Sequence, residues 1–76
     1  MDVTVYSTPT CPWCKRAKDL LKENKVVFAD VNVADDQKAA QKMMKASGQM
    51  GVPVIVAGDR VIVGFDEQAI RDALSI

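Results

Sequence analysis

The stretch TPTCPWCKRAK, residues 8–18, decides how this chain is read. It holds both cysteines of the sequence, Cys11 and Cys14, separated only by Pro12 and Trp13. Three roles are open to such a pair: a stabilising disulfide, part of a metal site, or a reaction centre. Structural zinc needs four Cys or His ligands. With two cysteines and no histidine, the chain could supply only half a site, shared across a dimer. A disulfide between residues three apart closes a short loop and removes little chain entropy. A reducing compartment would also tend to keep it open. Thiol–disulfide chemistry fits the local physics best.

That physics begins with the prolines. Pro9 restricts the chain before the helix, and Pro12 suits the first helical position, where its missing N–H costs nothing. Cys11 then becomes the N-cap, its sulfur expected to accept from the N–H groups of Trp13 and Cys14. A thiolate accepts better than a thiol, and the helix dipole together with Lys15, Arg16 and Lys18 favours the anion. Cys14 lies one turn further in on the same face. It is expected to be more buried and less acidic, so Cys11 attacks and Cys14 resolves.

The flanking sequence places this motif between a strand and a helix. Val3-Thr4-Val5-Tyr6 alternates as a half-buried strand does and stops at Ser7-Thr8-Pro9. Trp13, Ala17, Leu20 and Leu21 recur at helical spacing up to about Asn24. Residues 26–33 predict a second strand with Val27, Ala29 and Val31 on one face. Asp35 or Asp36 can cap a second helix with the inner stripe Ala40, Met43, Met44 and Ser47, ended by Gly48. The methionines there are gap-filling core residues rather than ligands.

The period then changes. Residues 54–57 and 60–63 predict a hairpin whose turn, Gly58-Asp59, suits type II′. Asp66 opens a last helix with Ala69, Ile70, Ala73 and Leu74 inward. The order is β-α-β-α-β-β-α. A helical crossover makes the first two strands parallel and right-handed in connection, and the hairpin is antiparallel. The expected architecture is one four-stranded mixed sheet flanked by three helices, an α/β class.

Composition narrows the rest. Seventy-six residues, nearly half of them apolar, make a single globular domain spanning residues 1–76. Ten cations balance ten anions, which argues against a nucleic-acid binder and against a membrane-surface protein. Five cations between Lys15 and Lys25 follow directly on the cysteines and read mainly as a solvated helix face. No secretory signal and no membrane-spanning run is visible. These features point to a cytoplasmic protein in a reducing compartment.

Residues 11–14, CPWC, resemble the Cys-Pro-aromatic-Cys centre of glutaredoxins, within the thioredoxin-like fold. The resemblance extends to GVP at 51–53, similar to the family's Thr-Val-Pro loop, and to VGFDE at 63–67, similar to its Gly-Gly-x-Asp-Asp segment. It covers essentially the whole chain. It implies a cis Val52-Pro53 bond that sets the Val52 backbone against the substrate. It further implies that Trp13, Val52, Pro53, Gly64, Phe65 and Asp66 contact glutathione, with Asp66 at its γ-glutamyl end. Many members carry Lys three residues before the first cysteine, where Thr8 stands; Lys15 or Lys38 could substitute. Gly51 and Val63 also depart from the pattern.

The activity implied is that of a dithiol oxidoreductase acting on protein disulfides and glutathione mixed disulfides. Glutathione is its co-substrate, no prosthetic group or metal is tightly bound, and the protein is a monomer. NrdH-type redoxins share the fold, the length and a similar Gly-Phe before the last helix. That relation implies an alternative, with thioredoxin reductase as electron source and ribonucleotide reductase as acceptor. A non-catalytic binding module and an iron–sulfur-bridged dimer using Cys11 of each subunit are alternatives of another class.

Overall fold

Strand β1 (Val3–Ser7) buries Val3, Val5 and Ser7 and turns Thr4 and Tyr6 to the other face, as its alternation requires. The computed structural model describes residues 2–76. After β1 come α1 (Pro12–Glu23), β2 (Ala29–Asn32), α2 (Gln37–Ser47), β3 (Val54–Ala57), β4 (Arg60–Val63) and α3 (Glu67–Leu74). The sheet order is β2-β1-β3-β4. β1 runs parallel to β2 and antiparallel to β3, and β3 pairs antiparallel with β4. The expected four-stranded mixed sheet with three helices is therefore the observed one. Among the described residues, no helix is long and apolar enough to cross a membrane.

One face of the sheet carries the core. Val3, Val5, Ile55, Ala57 and Ile62 meet Ala17, Leu20 and Leu21 of α1 and Ile70 and Ala73 of α3. Full burial of a side chain the size of Leu21 or Ile70 stabilises by about 1.5–3 kcal/mol before entropy is counted. Helix α2 packs on the opposite face against β1 and β4, with Ala39 and Met43 buried. The hairpin turn has Gly58 at φ +62°, the sign a type II′ turn demands at its first central residue.

Three details correct the sequence-based expectations. Strand β2 begins at Ala29 rather than Val26, and Val27 is 91 % exposed. Its register starts with Thr4 opposite Ala29, and β1 itself begins at Val3, so residues before Phe28 have no strand to pair with. Val26 and Phe28 instead pack sideways on the core. In α2, of the two expected caps Asp36 is the one used, accepting from the Ala39 N–H at 3.0 Å, and the inner stripe differs from the expected one. That phase turns Ala39 inward with Met43 and leaves Met44 44 % exposed. In α1 the buried stripe is entered by Cys14, not Trp13.

The sequence placed the end of α1 at about Asn24, as observed, but gave no sign of how it closes. Lys25 adopts a left-handed conformation, φ 59°, with its N–H donating to the Lys22 C=O at 3.1 Å and the Val26 N–H to the Leu21 C=O at 2.9 Å. This is a Schellman closure, usually built on glycine because a β-carbon is crowded there. Lys25→Gly should therefore raise stability by about 1 kcal/mol, read as a higher urea midpoint with an unchanged slope.

Candidate active site

The turn between β1 and α1 presents the cysteines. The Cys11 N–H donates to the Thr8 C=O at 3.4 Å, closing a turn with Pro9 at its second position. Cys11 is the N-cap of α1 and Pro12 its first residue. The Cys14 N–H donates to the Cys11 sulfur at 3.1 Å, while the second expected donor, Trp13, is not engaged. An unsatisfied helix terminus is thus aimed at a sulfur atom.

The two thiols, both free, sit in different surroundings. Cys11 is partly exposed at the surface, with the Val52 C=O 4.0 Å from its sulfur. Cys14 is 0 % exposed. Burial pushes the Cys14 thiol up from 9.0 to about 11, reinforced by its hydrogen bond with Cys11. A backbone hydrogen bond at Thr8 and the Lys18 charge pull weakly the other way. The arrangement offers one sulfur to a partner and keeps the other sealed and protonated behind it.

Beside Cys11 lies a groove of about 210 Å³ lined by Trp13, Val52, Pro53, Gly64 and Phe65. Five of the six residues expected to contact glutathione therefore share one surface. The Val52-Pro53 bond is cis. Trp13 is 54 % exposed and stacks on Phe65, with ring centroids 6.1 Å apart and planes inclined by 23°. Gly64 holds φ +80°, a conformation that favours glycine, and its N–H donates to the Pro53 C=O at 2.8 Å. The sixth residue, Asp66, caps α3 by accepting from the Ala69 N–H at 3.1 Å, adjacent to the groove rather than lining it. Lys15 is exposed, and Lys38 lines a separate cleft with Tyr6 and Val31 over the α2 face.

Several contacts of this region escaped the sequence reading. The Arg16 guanidinium sits 5.0 Å from the centre of the Trp13 ring, a cation–π contact that backs the groove wall. Gln49 brackets Gly51: its amide oxygen accepts from the Gly51 N–H and its amide nitrogen donates to the Gly51 C=O at 3.0 Å. A β-carbon on Gly51 would meet the Gln49 amide oxygen at 2.5 Å, so a larger residue there would displace the Gln49 side chain from this bracket. Lys18 of α1, Asp30 of β2 and Ser7 of β1 join in a polar chain behind the cysteine turn. The sequence signalled Gly51, unusual in its loop, and the charges of Arg16 and Lys18 beside the cysteines, but not the partners that any of them finds.

Comparison with known proteins agrees with this geometry. The family model for glutaredoxin matches residues 3–62. The chain belongs to the glutaredoxin family. Its relatives include a glutaredoxin-like 8.6 kDa protein from the rubredoxin operon of Clostridium pasteurianum, 52 % identical over 90 % of this chain and 91 % of that one. The crystal structure of a glutaredoxin from Archaeoglobus fulgidus superposes with a TM-score of 0.89 at 31 % identity, over 96 % of this chain and 85 % of that one. The glutaredoxin-like NrdH-redoxin of Escherichia coli superposes with a TM-score of 0.82 at 29 % identity, over 93 % of both chains. As a glutaredoxin-family member with the thioredoxin-like fold, the protein is a thiol–disulfide oxidoreductase.

The raised Cys14 value has a consequence for stability. A thiol that keeps its proton longer when folded contributes stability that is complete below pH 9.0 and lost as pH rises towards about 11. Reduced protein should therefore lose unfolding free energy across that window. The same titration of Cys14→Ala should be flatter, as measured by denaturant unfolding at each pH.

Proposed function

We propose that this glutaredoxin-family protein is a glutathione-linked dithiol oxidoreductase, reducing protein disulfides and glutathione mixed disulfides. The observation that carries the proposal is the unequal placing of its sulfurs. Cys11 caps a helix beside the Val52 carbonyl of the groove wall, and Cys14 is sealed one turn behind it. The Cys11 sulfur attacks one sulfur of a substrate disulfide, and the other leaves as a thiol. Cys14 then attacks the Cys11 sulfur, displacing the bound partner and closing a Cys11–Cys14 disulfide. Two glutathione thiols return the pair to the dithiol and leave as glutathione disulfide.

In this reading the apolar groove of Trp13, Val52, Pro53, Gly64 and Phe65 receives glutathione or the chain flanking a protein disulfide. Asp66 and the start of α3 stand beside the groove to meet the γ-glutamyl end. The chemistry is complete with thiols alone, so no prosthetic group is required. The protein works as a monomer in the reducing cytoplasm.

A second reading is supported by Phe65. Its stacking on Trp13 makes a broad apolar surface more suited to a protein face than to a small charged tripeptide. The E. coli NrdH-redoxin, described by a thioredoxin-like activity profile, shares the fold. On that reading thioredoxin reductase supplies the electrons and ribonucleotide reductase receives them.

The two readings part in one experiment. Oxidised protein is offered either glutathione with glutathione reductase or NADPH with thioredoxin reductase, and NADPH consumption is followed. Turnover with the glutathione system is expected. Turnover only with thioredoxin reductase would replace the first reading with the second.

A further inference from the structure

Behind the cysteine turn, three elements contribute one polar side chain each to a continuous hydrogen-bonded line. Ser7, at the end of β1, donates to Asp30 Oδ1 of β2 at 3.0 Å. Asp30 Oδ2 lies 3.2 Å from the Lys18 ammonium of α1. Ser7 is the sole buried polar residue among those described. An ion pair this close to solvent contributes little stability, typically about 0–1 kcal/mol. A free lysine would let its ammonium wander in water, so the geometry needs another rationale.

Its position supplies one. Lys18 is four residues after Cys14 on the same helix, hence on the same face. Asp30 holds its ammonium on the side of the sheet where β1 turns into the cysteine loop. A cleft of about 250 Å³ lined by Ser7, Thr8, Pro9, Lys18, Asp30 and Asn32 gives water access to the pair. Cys14, by contrast, is fully buried.

We propose that Lys18, anchored by Asp30 and Ser7, is a positioning residue for the second half of the exchange, holding a positive charge on the Cys14 face of α1 behind the cysteine turn. The inference rests on the dithiol reading above. The titratable groups that act on Cys14 are Cys11, which opposes its ionisation, and Lys18, which favours it. Asp30 from β2 holds the Lys18 ammonium in place while its own negative charge partly offsets it, and Ser7 from β1 fixes Asp30. In the step concerned, the Cys14 sulfur attacks the Cys11 sulfur of the mixed disulfide. The Cys11–Cys14 bond forms as the bond from Cys11 to the partner sulfur breaks. The proton lost from Cys14 passes through water to the departing thiolate, so the dithiol is oxidised by two electrons and the partner reduced by two. Lys18 favours the anion only while Cys14 carries it.

Both halves can be watched with dithiobis(nitrobenzoate), each half of which absorbs visibly on release. Reduced full-length protein releases the first half when Cys11 attacks and the second when Cys14 attacks Cys11. Lys18→Met, which keeps the apolar stem, should slow the second phase about tenfold at neutral pH and move its pH midpoint up by about one unit. The first phase should change by less than about twofold, and Lys18→Arg should recover most of the second. An unchanged second phase in Lys18→Met, or no recovery with Lys18→Arg, overturns this inference and leaves the dithiol reading standing. Wild-type protein that never releases the second half overturns both.

Discussion

A sulfur atom closes the N-terminus of α1, and the rest of the site depends on that hydrogen bond. Serine, threonine, asparagine and aspartate are the usual residues there, worth about 0.5–2 kcal/mol to the helix. A neutral thiol is a weaker acceptor than any of their oxygens. The Cys14 N–H nonetheless donates to the Cys11 sulfur at 3.1 Å, so one contact both caps the helix and orients the sulfur. The same contact fixes Cys14 relative to Cys11, because its donor is the backbone of the second cysteine. Pro12 suits the arrangement by occupying the first helical position, where a missing N–H costs nothing.

Everything around this cap serves to aim it. β1 ends in the Thr8 turn that delivers Cys11, while the loop before β3 brings the Val52 carbonyl to 4.0 Å from its sulfur. That loop is braced from both sides. Gln49 grips Gly51, and the Gly64 N–H ties the end of β4 to Pro53 at 2.8 Å. The departures from the family pattern thus have local accommodations: Gly51 makes room for Gln49, and Phe65 gives Trp13 an aromatic partner. Charge is distributed the same way, with Arg16 backing the groove wall and Lys18 held on the opposite side by Asp30.

How much of this could be read from sequence follows from the range of each interaction. The strand-turn-helix around CPWC was legible because Pro9, Pro12 and the alternation of β1 act on their immediate neighbours. The caps at Asp36 and Asp66 and the left-handed Gly48 were legible for the same reason. β2 was drawn too long because its start is set by where β1 begins, not by its own valines. Met44 was misplaced because one residue of phase, fixed by Asp36, decides which side of α2 is inner. Lys18 was read only as a cation near the cysteines, Ser7 and Asp30 look like ordinary surface residues, and their meeting spans sequence separations of 23 and 12. Gln49 was hidden likewise, since only the folded loop brings its amide around Gly51.

The central claim is that the two cysteines divide the work, the exposed one forming the bond to substrate and the buried one breaking it. Mass spectrometry of single-cysteine variants after exposure to a glutathione mixed disulfide tests this most directly. Cys14→Ser should accumulate one glutathione adduct, on Cys11, and Cys11→Ser should accumulate none at the same exposure. Equal labelling of Cys14 in Cys11→Ser would contradict the account.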